Sequence, residues 1–423
     1  MKKITLFTFL IGVMIVGLQT TNAQRILTYD EFIKNVREKN IEYIVEKYEV
    51  SIAEANAQAA KVMPDPSLSF SYDDSDDGPP QDRLYGKILS VELGYTLELG
   101  GKRRARISIA RSEQQMTEAL VEDFFRNLRA DATLCYLETL KQKHFAGLAL
   151  SSWQSMRDLA RGDSLRYALG EIAQVDAMQS RLEATTLMTE YFQAEVDYKN
   201  ILSDLAVFEG GTAAIDSLSG ALSLINRTYQ LQNLIELAQD NRADLRAAIR
   251  NRELSAANLR LAKADRVIDL DLNIAFAHNT QAMTEVSPTV PFNTYTAGVA
   301  IPLKFSNFNR GRLRAAQFAE QQADAMYEAV LLQIRNEVIQ RYNSYESARR
   351  QADLFQNGAL ADATSILEMK RYSYTRGETS LFEVLNAQRT ANDVFQNYYK
   401  ALYDINASLV ELCRATGIWD VDF

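Results

Sequence analysis

The sequence predicts a mainly α-helical chain with a small β part, written twice over. Proline placement is the first reason. All seven prolines fall at positions 64, 66, 79, 80, 288, 291 and 302, so none interrupts 81–287 or the 121 residues after 302. An interior proline costs a helix about 3 kcal/mol, so those stretches are free to form long helices. The second reason is an internal repeat. "ISIARSEQQ" from Ile107 aligns with "RAAQFAEQQ" from Arg314 at a spacing of 207, which also sets Gly170 on Gly377 and Gly210 on Gly417. "EANAQAAKVMPDPSLSF" from Glu54 matches "AANLRLAKADRVIDLDL" from Ala256 at a spacing of 202. A fixed long period marks a duplicated structural unit. The third is a switch of hydrophobic period from helical to two between the helical stretches.

In chain order, Lys2 and Lys3, the apolar run Ile4–Leu18 and Thr21-Asn22-Ala23 read as a secretory signal over 1–23, with Gln24 as the mature start. Losing Lys2 and Lys3 takes the net charge from -9 to about -11, which offers nothing to a nucleic acid.

The first repeat spans 24–209. Leu68, Phe70 and Tyr72 alternate in a strand of about 66–74, and Val91, Leu93, Tyr95, Leu97 and Leu99 in one of about 88–99. "DDSDDGPPQD" from Asp73 is expected to be an exposed loop between them. Lys102–Leu169 is expected to form a helix of about 100 Å, with Gly147 and Gly162 as bend points, and a return helix covers Glu171–Phe208.

A linker, 210–230, leads to the second repeat, 231–423. Its strands are expected at about 268–277, with Leu270, Leu272, Ile274 and Phe276 on one face, and at about 295–305. In the last helix Ala391, Phe395, Tyr398, Leu402, Ile405, Leu409 and Leu412 recur at steps of four and three, a heptad seam of ordinary core packing.

Strands of about ten residues suit a tilted outer-membrane strand. Four cannot close a barrel, and open edges are not tolerated in lipid. A membrane reading therefore needs several copies: two chains give eight strands, three give twelve, and the pattern alone does not choose. A soluble protein with two hairpins packed on helices stays open at this point. Cys135 and Cys413 are too few for a disulfide framework, and His144 and His278 too scattered for a metal site. No nucleophile motif or phosphate loop occurs, so no cofactor and no enzymatic activity are expected.

The tips "YALGEIAQVDAMQS" and "YTRGETSLFEVLNAQ" repeat Tyr-x-x-Gly-Glu, and "LELGGKRRARI" is echoed by "PLKFSNFNRGRLRAA". Together with the duplicated order of elements, these resemble the TolC family of outer-membrane efflux channels over nearly the whole mature chain. The resemblance implies long antiparallel coiled-coil hairpins, four strands given to a shared β-barrel, and a homotrimer. It places the chain in the outer membrane of a Gram-negative bacterium, extending into the periplasm as a passive duct. Its partners would be outer-membrane lipid, a periplasmic adaptor (membrane fusion) protein and an inner-membrane pump such as an RND or ABC transporter. A periplasmic adaptor or helical scaffold is the alternative.

By the same resemblance, Gly170, Glu171, Gly377 and Glu378 are the tips where an adaptor docks. Glu383, six residues after Gly377, belongs to an acidic ring at the periplasmic gate, and Asn386 stands where a second acid is known in the family. Tyr374 latches to Asp176, and Thr379 replaces the arginine of a second latch. Lys102, Arg103, Arg104 and Arg106, with Arg310, Arg312 and Arg314, lie where strand becomes helix. There they are expected to form a basic girdle against inner-leaflet lipid phosphates.

Overall fold

The computed structural model describes residues 25–77, 84–211, 214–225, 227–280, 290–303, 308–355 and 358–421. The expected signal, 1–23, residues 78–83 of the acidic run and its flank, and the expected strand end at 304–305 lie outside the described residues. In the first half β1 (Ile26–Leu27), α1 (Tyr29–Lys39), α2 (Ile41–Ala59), β2 (Ser67–Asp77), β3 (Leu84–Leu97), α3 (Lys102–Ala168) and α4 (Gln174–Phe208) follow one another. The second half has β4 (Ser217–Leu218), α5 (Leu231–Asn241), α6 (Ala243–Ala264), β5 (Leu270–Asn279), β6 (Phe292–Ala300), α7 (Arg310–Phe355), α8 (Ala359–Thr375) and α9 (Leu381–Thr416). β1 and β4 pair in parallel, tying the chain start to the segment between the halves.

The main sheet is antiparallel in the order β2-β3-β5-β6, so β2 and β6 are its edges within one chain. Its register sorts side chains by chemistry, because alternate residues of a strand face opposite ways. One face carries the rows Leu68–Leu93–Ile274–Ala297, Phe70–Val91–Phe276–Tyr295 and Tyr95–Leu272–Val299. The other carries Ser69–Glu92–Ala275–Thr296, Ser71–Ser90–Ala277–Thr294 and Thr96–Asp271–Ala300. The apolar face is bare in the single chain: Phe70 is 70% exposed, Ile274 66% and Tyr295 79%. On the polar face Asn273 Nδ2 donates to Glu92 Oε1 at 3.0 Å and Thr96 Oγ1 to Asp271 Oδ1 at 2.6 Å.

Below the sheet, α2, α3, α6 and α7 continue the four strands and pack in the same order. α3 is an unbroken helix of 67 residues, roughly 100 Å long, through both Gly147 and Gly162. Farther down α4 packs on α3, α3 on α9, and α9 on α7 and α8. The heptad seam is the buried side of α9, with Ala391, Leu402, Ile405, Leu409 and Leu412 removed from solvent.

The structure differs from the sequence expectations in four places, the first being β6, which runs Phe292–Ala300 where a strand is expected at about 295–305. The acidic run is strand through Asp77, where Asp73 pairs with Ile88 and Asp74 with Lys87. An antiparallel ladder satisfies its own backbone, so it extends past the apolar rows with charged residues on it. The helix after Tyr167 resumes at Gln174 instead of Glu171, because the turn consumes Glu171 and Ala173 is extended as N-cap. The long helix of the second half is not continuous like α3: α8 starts anew after Gly358, whose φ of +96° is open to glycine.

Each half closes on itself at an equivalent joint. Asn40 separates α1 from α2, caps the latter through Tyr43 N at 2.9 Å and donates to Phe208 O at 3.1 Å. Arg242 separates α5 from α6 and donates to Ala415 O at 3.1 Å. Gly210 and Gly417 end the return helices against these joints; a Cβ on Gly210 would stand 2.6 Å from Lys39 O. Cys135 and Cys413 are both free thiols, and burial pushes each up to about 12.

Candidate functional site

The two tips are built alike, down to individual hydrogen bonds. At the first, Gly170 N donates to Tyr167 O at 2.9 Å and Glu171 N to Arg166 O at 2.9 Å. At the second, Gly377 N donates to Tyr374 O at 3.0 Å and Glu378 N to Ser373 O at 2.9 Å. This is the Schellman closure of a helix C-terminus. It requires a left-handed residue, and both glycines have φ of +76°. All four tip residues, Gly170, Glu171, Gly377 and Glu378, are exposed. The repeated Tyr-x-x-Gly-Glu therefore spells a way to stop a long helix and reverse the chain.

Behind the tips α3, α4, α8 and α9 share a small core of Met156, Leu187, Tyr374, Leu381, Val384 and Leu385. Into it points a phenol–carboxylate contact: Tyr374 Oη donates to Asp163 Oδ1 at 3.0 Å. The resemblance pairs Tyr374 with Asp176; in the structure the hydroxyl reaches Asp163 on α3, while Asp176 sits half-buried in the first turn of α4. Two groups compete for one donor, and the buried one holds it. Asp163 is only 1% exposed, and its Oδ2 accepts no hydrogen bond. Arg166 lies over the Tyr374 ring at 5.2 Å and 3.9 Å from Asp163 Oδ1. Burial raises the Asp163 carboxyl, against the opposing pull of the Tyr374 and Ser180 hydroxyls and the Arg166 charge. Burial and then the Asp163 pairing push the Tyr374 phenol up as well.

Glu383 and Asn386 are exposed on one face of α9, a helical turn apart. Glu383 Oε2 takes Lys370 Nζ at 2.5 Å, and this pairing holds its carboxyl below the usual range. Within one chain Glu383 is thus partly neutralised by a neighbouring helix. Arg389 Nη2 reaches Glu183 at 3.2 Å and ties α9 to α4. Sequence reasoning missed Asp163, which reads as a solvated helix acid in "RGDS". It also missed the exposed apolar stripe Val175, Met178 and Leu182, which borders a groove of about 570 Å³ on α4. The steps of three and four between those residues are the signal that would have found it.

At the other end of the helices the expected girdle divides. Lys102 is buried, with Nζ 2.6 Å from Asp269 Oδ2. Arg103 donates twice to Lys61 O, at 2.9 and 2.7 Å, and Arg106 grips Glu98 with both terminal nitrogens at 2.5 and 2.7 Å. Lys102 and Arg106 tie α3 to residues flanking β5 and β3, and Arg103 ties it to the turn after α2. Arg104, Arg310, Arg312 and Arg314 are exposed. Among the described residues no helix is long and apolar enough to cross a membrane.

The sequence model of the outer membrane efflux protein family matches residues 234–418, most of the second half. The chain is 22% identical over 343 residues to the cobalt-zinc-cadmium resistance protein CzcC of Cupriavidus metallidurans, covering 81% of this chain and 78% of that protein. It is 23% identical over 327 residues to the outer membrane protein TolC of Vibrio cholerae, covering 74% and 70%. Among solved structures, the CmeC outer membrane channel of Campylobacter jejuni superposes with a TM-score of 0.76 at 15% identity, over 92% of this chain and 85% of that one. VceC of Vibrio cholerae gives 0.71 at 18% identity, over 92% and 95%. With its duplicated halves, four-stranded sheet and paired helical tips, the chain is similar over most of its length to TolC-type outer membrane efflux proteins, and its second half matches that family's model.

Proposed function

We propose that the protein is the outer-membrane duct of a tripartite efflux or export system, three copies sharing one barrel and one helical tunnel. The observation that carries this is the sheet. It has one continuous apolar face, one polar face, and two edges, β2 and β6, unpaired within the chain. Such a sheet is stable in lipid only when its edges are closed, and apolar-out, polar-in alternation is the pattern of a water-filled barrel wall. Three sheets of four strands give a twelve-stranded barrel, as the likeness to TolC-type channels supports. A periplasmic adaptor or scaffold would have no use for an apolar face of this extent.

Drive comes from an inner-membrane pump, reached through an adaptor that meets the tips. The exposed stripe Val175, Met178 and Leu182, beside Gly170 and Glu171, suits a helical partner laid along it. The relative from Cupriavidus is named for cobalt, zinc and cadmium resistance; the passenger here follows from whichever pump is engaged.

Mild crosslinking before extraction is expected to recover a trimer that shifts in gel mobility on heating, with an adaptor and pump attached. A monomer in the detergent-free periplasmic wash would refute the duct. Three copies of Glu383 converging on the tunnel axis would favour cations. Glu383→Gln is expected to reduce cation selectivity in planar bilayers, and an unchanged reversal potential would remove Glu383 from the gate.

A further inference from the structure

We infer that Asp163, through its buried contact with Tyr374, is a proton-operated lock that holds the second hairpin against the first and closes the tip more firmly in acid. The inference rests on the duct reading and adds to it a residue and a direction of control.

The contact joins helices far apart in sequence. Asp163 belongs to α3 and Tyr374 to α8, 211 residues later. Every element around the carboxylate contributes something that can be named. From α3 comes Arg166, which also holds Glu171 of the turn at 3.5 Å. From α4 come Asp176, whose charge raises the carboxyl, and the buried Ser180, whose hydroxyl lowers it and also donates to Ala177 O at 3.4 Å. α8 gives the phenol. α9 gives Leu381, Val384 and Leu385, which are apolar. The sole cation among these faces Asp163 at 3.9 Å, and the Ser180 hydroxyl lies near the carboxylate while Oδ2 has no well-formed hydrogen bond. A buried anion so incompletely compensated favours its neutral form. Separating α8 from α3 exposes that carboxyl to water, where the ordinary value of 3.8 returns.

The sign follows from linkage. The closed tip binds this proton more tightly than the open one, so falling pH stabilises closure through the window above 3.8 and up to the raised value. Rising pH through that window favours opening. The phenol takes no part, because it is raised away from this range. One linked proton per chain limits the change in the open-to-closed ratio to about tenfold per pH unit. Asp176 is the competing candidate, and its partial exposure gives it a weaker claim.

The test is open probability in planar bilayers from pH 4 to 8 for the wild type, Asp163→Asn and Asp176→Asn. Wild type should open increasingly with pH. Asp163→Asn, neutral at every pH, should stay near the acid level and lose most of the dependence, while Asp176→Asn should keep it. A wild type indifferent to pH, or an Asp163→Asn variant that titrates like it, overturns the lock. Amide hydrogen exchange in α8 of the detergent-solubilised protein, corrected for intrinsic rate, reads the same equilibrium without conductance. Protection should fall with pH in the wild type and stay level in Asp163→Asn; a flat wild-type profile overturns the lock. Failure of the wild type to conduct at any pH, with the exchange pattern intact, would refute the duct and leave the lock standing.

Discussion

Replacing Arg242 with alanine is expected to destabilise each chain by about 3–5 kcal/mol, the range for removing one partner of a buried ion pair. The guanidinium is 3% exposed and meets acids from two sides. Nε and Nη2 grip Asp244 at 2.9 and 2.7 Å, and Nη1 reaches Glu337 at 2.6 Å and Ala415 O at 3.1 Å. Burial works to raise the Asp244 carboxyl, and the Arg242 hydrogen bonds and charge outweigh it, so the carboxyl ends below its ordinary value. That contribution is present above 3.8 and is lost as pH falls through the lowered value. Alanine leaves two acids and a carbonyl without their donor. The triple variant Arg242→Ala, Asp244→Ala, Glu337→Ala should therefore be more stable than Arg242→Ala alone. Arg242→Lys keeps the charge and loses the fork, and should fall between. The measurement is the apparent melting temperature of the detergent-solubilised assembly. If the triple variant melts below the single, the acids are not what the arginine serves.

The equivalent joint in the first half sets the scale. Asn40 makes the same move toward the end of its return helix, to Phe208 O, as Arg242 makes toward Ala415 O. The spacing of 207 carries Phe208 onto Ala415, and the spacing of 202 carries Asn40 onto Arg242. Asn40→Ala removes a neutral cap and should cost about 1–2 kcal/mol. One geometry is thus kept by two chemistries, and the repeat conceals it because the residues differ.

The same contrast explains what could be read beforehand. Alternation at Leu270, Leu272, Ile274 and Phe276 is local, and it gave the apolar face of a strand. The Tyr-x-x-Gly-Glu signature is local too, and its glycines close both turns. The resemblance went further and supplied an assembly. Partnership between distant helices was not legible. Lys102 reads as surface charge until Asp269 is set against it, and Asp163 as an ordinary helix acid until α8 brings Tyr374 over it. Nor does proline counting find the restart after Gly358, because a left-handed glycine can precede a new helix without any proline.

The sheet offers the sharpest discrimination. Ile274→Arg is expected to abolish recovery of the assembled protein from the outer membrane. Ile274 lies mid-strand, flanked by Leu93 and Ala297, and is open on the apolar face. An arginine at the bilayer midplane of a barrel costs about 2–4 kcal/mol. In the proposed trimer three symmetry-related copies would multiply this to roughly 6–12 kcal/mol per assembly. Thr296→Arg is its counterpart on the other face, two strand neighbours from Glu92 in the row Glu92–Ala275–Thr296. There the new charge meets water, so assembly should survive while ionic selectivity in bilayers moves toward anions. Folded, heat-modifiable protein is the readout for the first variant and reversal potential for the second. The reverse outcome, with Ile274→Arg assembling and Thr296→Arg lost, would mean that the apolar rows face inward. Loss of neither would mean that this sheet never meets lipid, because an apolar face in contact with acyl chains cannot take up an arginine without cost.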